Sequence, residues 1–541
     1  MSRTAVKARR EEIKSCLSRH GFARRGLEPL ADSDVGVDRI AALLQELGPV
    51  FARFGLYLAS RPDLLRLTDC VSLSAIPNRS APISEADVRQ VIRDELGSHH
   101  DDPTVEPRFV TFDPQPFETR LLLQLHNGQL ENGDFVVVKV VHPHNEVNQE
   151  LELLPMIAHV IAPRLTDPRR FKAVMDDFRL ALKESLDCQR VAESLETLSH
   201  DCRDNESLCV PKVYHQLCTS HLLVTERLDG IRLDHHLMQC RDPGSTTISR
   251  GANGIVADEL ARLLCDVWLR QSFEGTLLLA EIRPENILIR SPTQVAVLDG
   301  TFASFPAVSR RNLLEYLISA ATDEPSKALV ALLKELDATR CTTSAANLDR
   351  QFRQVVSFRE GGWEDGGKAN CLSDTLFAQW RLITRSGYAP LRHLIHLYRG
   401  TFHITCIARK VAPQRDSLLE GVKDLRLTML LSDIGKMMEP SYWGGQMDRL
   451  FGLMILGPQH LDDVLKKMSD EEESFAKPQG TAKDPSLSFN SLPTGLLLIA
   501  AFFMFRDQLS DLFTPVWAER LMAVLFVAIG AWTLQLFSDS S

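Results

Sequence analysis

The feature that most constrains the fold is a pair of β-rich segments on either side of an Asn-Gly turn. The first covers residues 121–126, the second covers residues 135–141, and Asn132-Gly133 lies between them. β-Branched residues favour strands, and an Asn-Gly pair favours the tight turn of an antiparallel hairpin. Apolar residues at 40–47 and 255–273 have helical spacing instead. The chain must therefore combine a small antiparallel sheet with a larger helical part.

The composition is that of an ordinary globular protein. Of 541 residues, 44% are hydrophobic and 24% are charged, and a chain of this length favours roughly two to four structural units. The formal net charge of -10 excludes an overall basic surface, so we expect no nucleic-acid partner. The 11 cysteines include no C-x-x-C pair, which indicates free thiols in a reducing compartment and supports neither a zinc motif nor a redox motif.

Two uncharged apolar runs lie near the C-terminal end, at residues 495–505 and 521–537. They follow an acidic stretch rich in Pro, Gly and Ser at 469–493, whose composition predicts a disordered linker. A full membrane span needs about 20 apolar residues. Both runs are shorter, so a buried helical hairpin and interfacial helices are alternatives. Because a linker separates the runs from the rest, the sequence favours membrane-anchor helices over 494–541, with membrane lipid as a partner.

Three polar residues follow one another in the order found in protein kinases. Lys139 lies in the second strand of the hairpin, Asn286 follows Arg-Pro-Glu, and Asp299 ends a hydrophobic strand. In kinases a strand lysine neutralises phosphate oxygens, while an asparagine and an aspartate bind the metal ion. Each residue alone would more often be structural. Together they predict a two-lobed, protein-kinase-like fold of mixed α/β (α+β) class, with Lys139 binding nucleotide and Asn286 and Asp299 binding metal.

Several further stretches match one protein family in order and without gaps. They lie at residues 47–65, 112–126, 210–214, 225–231 and 409–414. Through these stretches the chain resembles the UbiB family of atypical kinase-like proteins, which act in ubiquinone biosynthesis and carry C-terminal membrane helices. The resemblance covers about residues 40–435 and extends to the apolar tail. It implies N-terminal helices packed across a nucleotide cleft, and ATP or ADP with Mg²⁺ as ligand.

The resemblance also assigns roles to three residues outside the kinase-like set. Arg53 and Gly55 occupy the charged and glycine positions of the family's K-x-G-Q motif, although Leu56 replaces the glutamine. Glu226 occupies the hinge that follows a small-lobe strand. The resemblance therefore implies that Arg53, Gly55 and Glu226 contribute to cofactor binding.

The positions that carry the family's chemistry depart from its pattern. The catalytic aspartate is replaced by Glu281, the alanine-rich phosphate loop by bulky residues at 118–123, and the lysine-pairing glutamate by Val191 on a helix predicted over 171–198. Glu193 would point in another direction from the same helix. Glu281 keeps a carboxylate that could accept a proton, but an ångström-scale displacement can cost about 100-fold in rate. These departures predict a divergent member with degraded kinase motifs and weak or absent phosphoryl transfer.

The sequence leaves the function open between several alternatives. The first is a membrane-anchored UbiB-like protein that supports ubiquinone (coenzyme Q) biosynthesis with weakened nucleotide binding or ATPase activity. Its implied partners are ubiquinone-biosynthesis enzymes or isoprenoid lipid intermediates, at the cytoplasmic face of a bacterial inner membrane. The alternative is a nucleotide-independent pseudokinase that serves as a scaffold or lipid-binding module, and an unrelated regulatory role is a third. Whether the chain is an enzyme stays open.

The same observations predict five segments. They are an N-terminal helical extension at 1–110, a kinase-like small lobe at 111–232, a helical large lobe at 233–468, the linker at 469–493 and the anchor at 494–541.

Overall fold

The computed structural model describes residues 3–22, 35–97, 109–142, 144–165, 167–239, 256–337, 345–357 and 371–438. All of them belong to one compact unit, Met1–Glu439. The predicted linker and anchor lie outside the described residues. Within the described ranges, no helix is both long enough and apolar enough to cross a membrane. The C-terminal membrane helices therefore stay a prediction.

Five helices form the N-terminal extension. They are α1 Arg3–Arg19, α2 Val35–Glu46, α3 Pro49–Ala59, α4 Leu67–Ser74 and α5 Glu85–Gly97. Proline suits the first turn of α3 because its missing N–H would have no partner there. Gly55 allows α3 to pack closely against its neighbours, since a Cβ atom would lie 2.5 Å from Ile76 Cδ1 and 2.9 Å from Leu44 Cδ1. The extension is thus built into the hydrophobic core.

The strands form two main sheets and two short pairs. They are β1 Phe109–Phe112, β2 Glu118–Arg120, β3 Leu123–Leu130, β4 Phe135–Val141, β5 Leu208–Cys209, β6 Leu222–Glu226, β7 Ile231–Arg232, β8 Leu277–Glu281, β9 Ile287–Ser291, β10 Gln294–Val297, β11 Thr301–Ser304, β12 Leu336–Asp337 and β13 Ala389–Pro390. The first sheet has the order β1-β3-β4-β6, with β2 also paired to β3, and the second has the order β5-β10-β9-β7. The short pairs are β8 with β11 and β12 with β13.

The predicted hairpin is confirmed as β3 and β4, which pair antiparallel on either side of Asn132-Gly133. Side chains alternate between the two faces of a strand. Val136, Val138 and Val140 therefore face one side, where they pack against Val88 and other residues of α5. Lys139 points to the opposite side, so the β-alternation of this strand places the lysine in the interior of the molecule.

Four helices connect β4 to β5: α6 His144–Leu153, α7 Ala158–Ile161, α8 Phe171–Leu186 and α9 Cys188–Asp201. The helical structure predicted over 171–198 is confirmed, but it is divided at Asp187, where α8 ends and α9 begins. The backbone of Asp187 is extended, with ψ 99°, and its carboxylate accepts a hydrogen bond from Arg190 N. An aspartate at this position caps the first turn of the new helix.

The remaining helices belong to the larger, mainly helical part. They are α10 Leu233–Gln239, α11 Ala257–Glu274, α12 Ala307–Ala321, α13 Pro325–Leu333, α14 Ala345–Ser357, α15 Leu372–Arg385, α16 Arg392–Val411 and α17 Ser417–Met438. Strand β7 pairs with β9, so the second sheet joins segments on both sides of the boundary predicted at residue 232. The mixed helix and strand class is confirmed, while the lobe boundaries stay a prediction.

Helix α16 lies directly against β8. A Cβ atom at Gly400 would lie 2.8 Å from Leu279 O, and Trp268 Nε1 of α11 donates a hydrogen bond to the same carbonyl (2.9 Å). Only a residue without a side chain permits this approach. The contact fixes the neighbouring Arg399 at the end of β8, where Glu281 lies.

Candidate functional site

Five of the seven predicted site residues line one cavity. They are Arg53, Lys139, Glu281, Asn286 and Asp299. The cavity measures about 40 Å³, which is room for only a few water molecules. The other two residues lie elsewhere: Gly55 is a packing residue of α3, and Glu226 ends β6 with its N–H bonded to Lys212 O (2.8 Å).

Glu281 is surrounded by three arginines, and we call these four residues the Glu281 cluster. Oε1 lies 3.2 Å from Arg53 Nη1 and 2.7 Å from Arg283 Nε, while Oε2 lies 2.9 Å from Arg399 Nη2. The Glu281 side chain is 8% exposed. Burial acts to raise the pKa of Glu281, but the charges of the three arginines outweigh it and hold that pKa well below its ordinary value. Thr301 Oγ1 also donates to Oε2 (3.4 Å), so the carboxylate is a fixed anion with four partners for its roughly four acceptor sites.

The three arginines come from distant parts of the chain. Arg53 lies on α3 of the N-terminal extension, Arg283 follows β8, and Arg399 lies on α16. Arg399 Nε also donates to Ser60 Oγ (3.1 Å), and its guanidinium carbon lies 5.1 Å from the centre of the Tyr57 ring. The extension and the large helical part are thus held to one carboxylate.

A histidine of α16 lies next to this cluster. Nε2 of His403 is buried and has no hydrogen-bond partner among the described residues. Burial lowers the pKa of His403 to about 3, because the effect of Glu281, which would raise it, is offset by Arg283, Arg399 and Arg53. His403 is therefore neutral at physiological pH.

Lys139 pairs directly with Asp299. Lys139 Nζ lies 2.7 Å from Asp299 Oδ2, and the two side chains are 5% and 17% exposed. Asp299 Oδ1 accepts a second hydrogen bond from Gly300 N (2.8 Å). The predicted lack of a helix partner agrees with this geometry, because Val191 is buried and Glu193 is exposed.

Asn286 is bonded to an arginine, which belongs to a second ionic group that we call the Arg120 cluster: Arg120, Glu118, Arg232, Asp234 and Asn286. Arg120 Nη1 donates to Asn286 Oδ1, and Arg120 Nη2 donates to Glu285 O (3.2 Å). Arg120 Nε pairs with Glu118 (2.7 Å). Glu118 also pairs with Arg232, which in turn pairs with Asp234 (2.8 Å). Both Arg120 and Asn286 line the cavity, so a guanidinium already bonds to the amide oxygen that was predicted to bind metal.

The segment expected to hold phosphate is a closed turn between β2 and β3. Arg120 pairs with Leu123 in register, which leaves Leu121 and Leu122 as the two turn residues. Leu122 has φ 68°, a conformation that costs a non-glycine residue roughly 1–2 kcal/mol. Both leucines are buried. Bulky side chains therefore fill the place where small residues would let backbone N–H groups approach a phosphate.

Comparisons with known proteins agree with this geometry. A family model described as ABC1 atypical kinase-like domain matches residues 76–332. The probable protein kinase UbiB of Vibrio cholerae is 27% identical over 299 residues, covering 53% of this chain and 52% of that protein. The probable protein kinase UbiB of Shewanella woodyi is 28% identical over 295 residues, covering 53% and 51%. Residues 76–332 of this chain belong to the family of ABC1 atypical kinase-like domains, and the chain is similar to the UbiB proteins.

The matched part spans about half the length of these bacterial UbiB relatives. Among solved structures, Rv3197 of Mycobacterium tuberculosis in complex with erythromycin is similar with a TM-score of 0.38 and 16% identity, covering 62% of this chain and 84% of that one. Because that score is low, membership rests on the family model and the UbiB relatives.

The predicted metal-binding positions of this UbiB-like chain do not fit a magnesium ion as they stand. Magnesium takes oxygen ligands in near-octahedral geometry. Asn286 Oδ1 accepts from Arg120, and both oxygens of Asp299 accept hydrogen bonds, from Lys139 and Gly300 N. Two fixed cations, Arg120 and Lys139, would also repel a divalent ion. Glu281, Asn286 and Asp299 come together as predicted, while their roles in catalysis and metal binding stay predictions.

Two residues that shape the site were missed by sequence reasoning. Arg120 lies inside the loop at 118–123, which we interpreted only as bulky. Its role at the site depends on the hydrogen bond to Asn286, a residue 166 positions away. Arg399 lies in α16, in the sequence Tyr-Arg-Gly-Thr. A charged residue next to a glycine on the apolar side of a helix was the available signal for Arg399.

Proposed function

We propose that this chain supports ubiquinone biosynthesis as a membrane-anchored UbiB-like protein with weakened nucleotide binding or ATPase activity. Family membership supports the general role, and the apolar tail supports the anchor. The observation that carries the chemical part is the contact of Glu281 with three arginines. A carboxylate at the catalytic position must take a proton from the attacking group, and Glu281 has both its charge and its lone pairs committed.

The remaining candidates for ligand binding are Lys139 and Asp299. Their 2.7 Å ion pair would have to open for Lys139 to reach a phosphate. Opening a buried pair costs free energy, so nucleotide affinity would be reduced by that amount. We therefore expect weak binding of ATP or ADP, and no efficient phosphoryl transfer.

A second candidate is a pseudokinase that acts as a scaffold or lipid-binding module without nucleotide. Arg120 favours it, because its guanidinium contacts Asn286 Oδ1. The size of the cavity favours it as well. In this case Lys139 and Asp299 stabilise the fold and bind no ligand.

Complementation of a bacterial strain that lacks its own UbiB protein separates the candidates. Cells carrying the full chain, Lys139→Ala, Asp299→Asn or a deletion of residues 490–541 would be compared for ubiquinone content. Lys327→Ala, at a surface lysine whose side chain is 70% exposed, serves as the matched control. If nucleotide matters, both cleft variants lose at least about tenfold in ubiquinone while the protein still accumulates.

If the scaffold matters, the cleft variants lose ubiquinone only as far as they lose folded protein, because their ion pair stabilises the fold, whereas the tail deletion fails even where the protein accumulates. Failure of the unmutated chain to restore any ubiquinone would contradict the proposed role itself. A thermal shift of the purified full chain with Mg²⁺ and ADP, lost in Asp299→Asn, measures the binding step separately, since a ligand that binds the folded state raises its melting temperature.

A further inference from the structure

Three side chains of types that bind zinc meet at the interface between α1 and α2. Cys16 and His20 lie four residues apart, so they share one face of the α1 helical turn. His20 follows the last residue of α1, but its N–H still bonds to Cys16 O (3.1 Å), which continues the helical pattern. Glu46 is the last residue of α2. One ligand atom from each residue lies within 4.8 Å of the other two.

The exposure of the three residues to solvent increases from Cys16 through His20 to Glu46. Cys16 is 2% exposed, while the side chains of His20 and Glu46 are 18% and 42% exposed. His20 Nε2 and Glu46 Oε2 already lie 2.6 Å apart. A metal ion could therefore enter from solvent on the Glu46 side and meet the sulfur at the inner end.

We propose that Cys16, His20 and Glu46 bind one zinc ion. Zinc takes sulfur, imidazole nitrogen and carboxylate oxygen in tetrahedral sites, with bond lengths of about 2.0–2.3 Å. Those lengths separate neighbouring ligand atoms by about 3.3–3.6 Å, so ligand atoms that now lie within 4.8 Å of one another have to approach by at most about 1.5 Å. As the bond forms, the Cys16 thiol releases its proton to solvent and the thiolate binds the ion. Three protein ligands leave the fourth position to water.

The ligand types favour zinc over the hard cations. Magnesium and calcium bind through oxygen ligands, and this set offers one carboxylate beside a thiol and an imidazole. Sulfur and nitrogen donors select zinc or similar transition metals. The site is therefore chemically separate from the cleft, whose predicted metal ligands were an asparagine and an aspartate.

Arg19 does not compete for the same carboxylate oxygen. Arg19 Nη2 contacts Glu46 Oε1, whereas His20 contacts Oε2. The Arg19 side chain also hydrogen-bonds to the Cys16 thiol, and that contact has to open when the sulfur binds the ion. A carboxylate that binds zinc through Oε2 keeps Oε1 for the guanidinium. Arg19 would then orient Glu46, as residues that hydrogen-bond to metal ligands generally do.

Cobalt substitution tests the proposal on the purified full chain. Co²⁺ bound tetrahedrally by a thiolate gives strong visible absorption and a sulfur-to-metal charge-transfer band. We expect one equivalent of Co²⁺ to produce both signals and one equivalent of Zn²⁺ to abolish them. Cys16→Ser removes the charge-transfer band, and His20→Ala weakens zinc binding by at least about 100-fold, since even indirect partners of metal ligands contribute 10–100-fold.

Cys209→Ser is the matched control, because Cys209 is a partly buried thiol in β5, outside the cluster. It should keep the full signals. If Cys16→Ser does not fold, His20→Ala and Glu46→Gln at the more exposed end carry the test. Absence of the charge-transfer band in the unmutated protein, or its persistence in all three cluster variants, would overturn the proposal.

Discussion

The Glu281 cluster and the Arg120 cluster face the same cavity but distribute charge differently. In the first, three guanidinium groups depend on one carboxylate. In the second, Arg120 and Arg232 share Glu118, and Arg232 has Asp234 in addition. One carboxylate therefore contacts three guanidinium groups in the first cluster, where Glu285 acts on Arg53 and Arg283 only through its charge, while the second cluster has acids and bases in equal number.

The two clusters also differ in how the chain assembles them. The arginines around Glu281 come from α3, α16 and the loop after β8, so that cluster forms only when distant segments pack. Arg120 and Glu118 lie on the same short strand. The difference indicates that a kinase-like site can be closed in two ways. At Glu281, arginines from several segments surround the carboxylate, and at Asn286 one arginine held by its strand neighbour Glu118 bonds to the amide oxygen.

The largest expected effect is that of Glu281→Gln. The substitution keeps the shape of the side chain but leaves three arginines, 18%, 13% and 4% exposed, without their anion. Removing one partner of a buried ion pair costs about 3–5 kcal/mol. We expect a loss of this size in the free energy of unfolding, measured by urea denaturation. Glu315→Gln is the control, since the Glu315 side chain is 51% exposed and lies 3.5 Å from Lys334, outside both clusters.

Glu118→Gln should have a smaller effect because its arginines have other partners. Arg232 keeps Asp234, and Arg120 keeps Asn286 and Glu285 O. A substitution that weakens a buried hydrogen bond to a charged group costs about 1–3 kcal/mol. The same urea experiment checks it. A loss equal to that of Glu281→Gln would mean that charge distribution does not separate the two clusters.

Acid should destabilise the α16 side of the Glu281 cluster before Glu281 itself titrates. Burial lowers the pKa of both His396 and His403 to about 3, whereas an unfolded histidine has a pKa near 6.5. Below about pH 6.5 only the unfolded chain takes up these protons, so stability is complete above that pH and falls as the pH drops towards 3. The slope is at most about 1.4 kcal/mol per pH unit for each histidine.

The measurement is urea denaturation at pH 7, 6 and 5, compared with His403→Gln. Between pH 6 and 5, the free energy of unfolding of the variant should fall less steeply than that of the unmutated protein. The difference in slope should be at most about 1.4 kcal/mol per pH unit, whatever the stability of the variant at pH 7. Glu281 affects stability only at lower pH. Because the pKa of Glu281 is lowered in the folded protein, its contribution to the free energy of unfolding stays intact until the pH falls below about 4.3, the ordinary glutamate value. An unchanged slope in His403→Gln would show that His403 is not held neutral.

The hairpin and the cleft show what the sequence could predict. The Asn-Gly turn and the alternation of valines in β4 are local, so they placed Lys139 correctly and with it the kinase-like order of Lys139, Asn286 and Asp299. The helix break at Asp187 was missed because aspartate is also common within helices. The contacts of Arg53 and Arg399 with Glu281, and of Arg120 with Asn286, could not be predicted, since they depend on how distant segments pack.

The smallest loss of stability is expected when an exposed ion pair is removed. Arg89 and Glu85 of α5 lie 3.0 Å apart at i and i+4, with side chains 51% and 53% exposed. Solvent screens such pairs, and their usual contribution is about 0.3–0.5 kcal/mol. Arg89→Ala should therefore change the free energy of unfolding by no more than about 0.5 kcal/mol, and less in high salt. If Arg89→Ala cost as much as Glu118→Gln, burial would not explain why the cleft pairs matter, and the contrast between the two clusters would reduce to the number of charges removed.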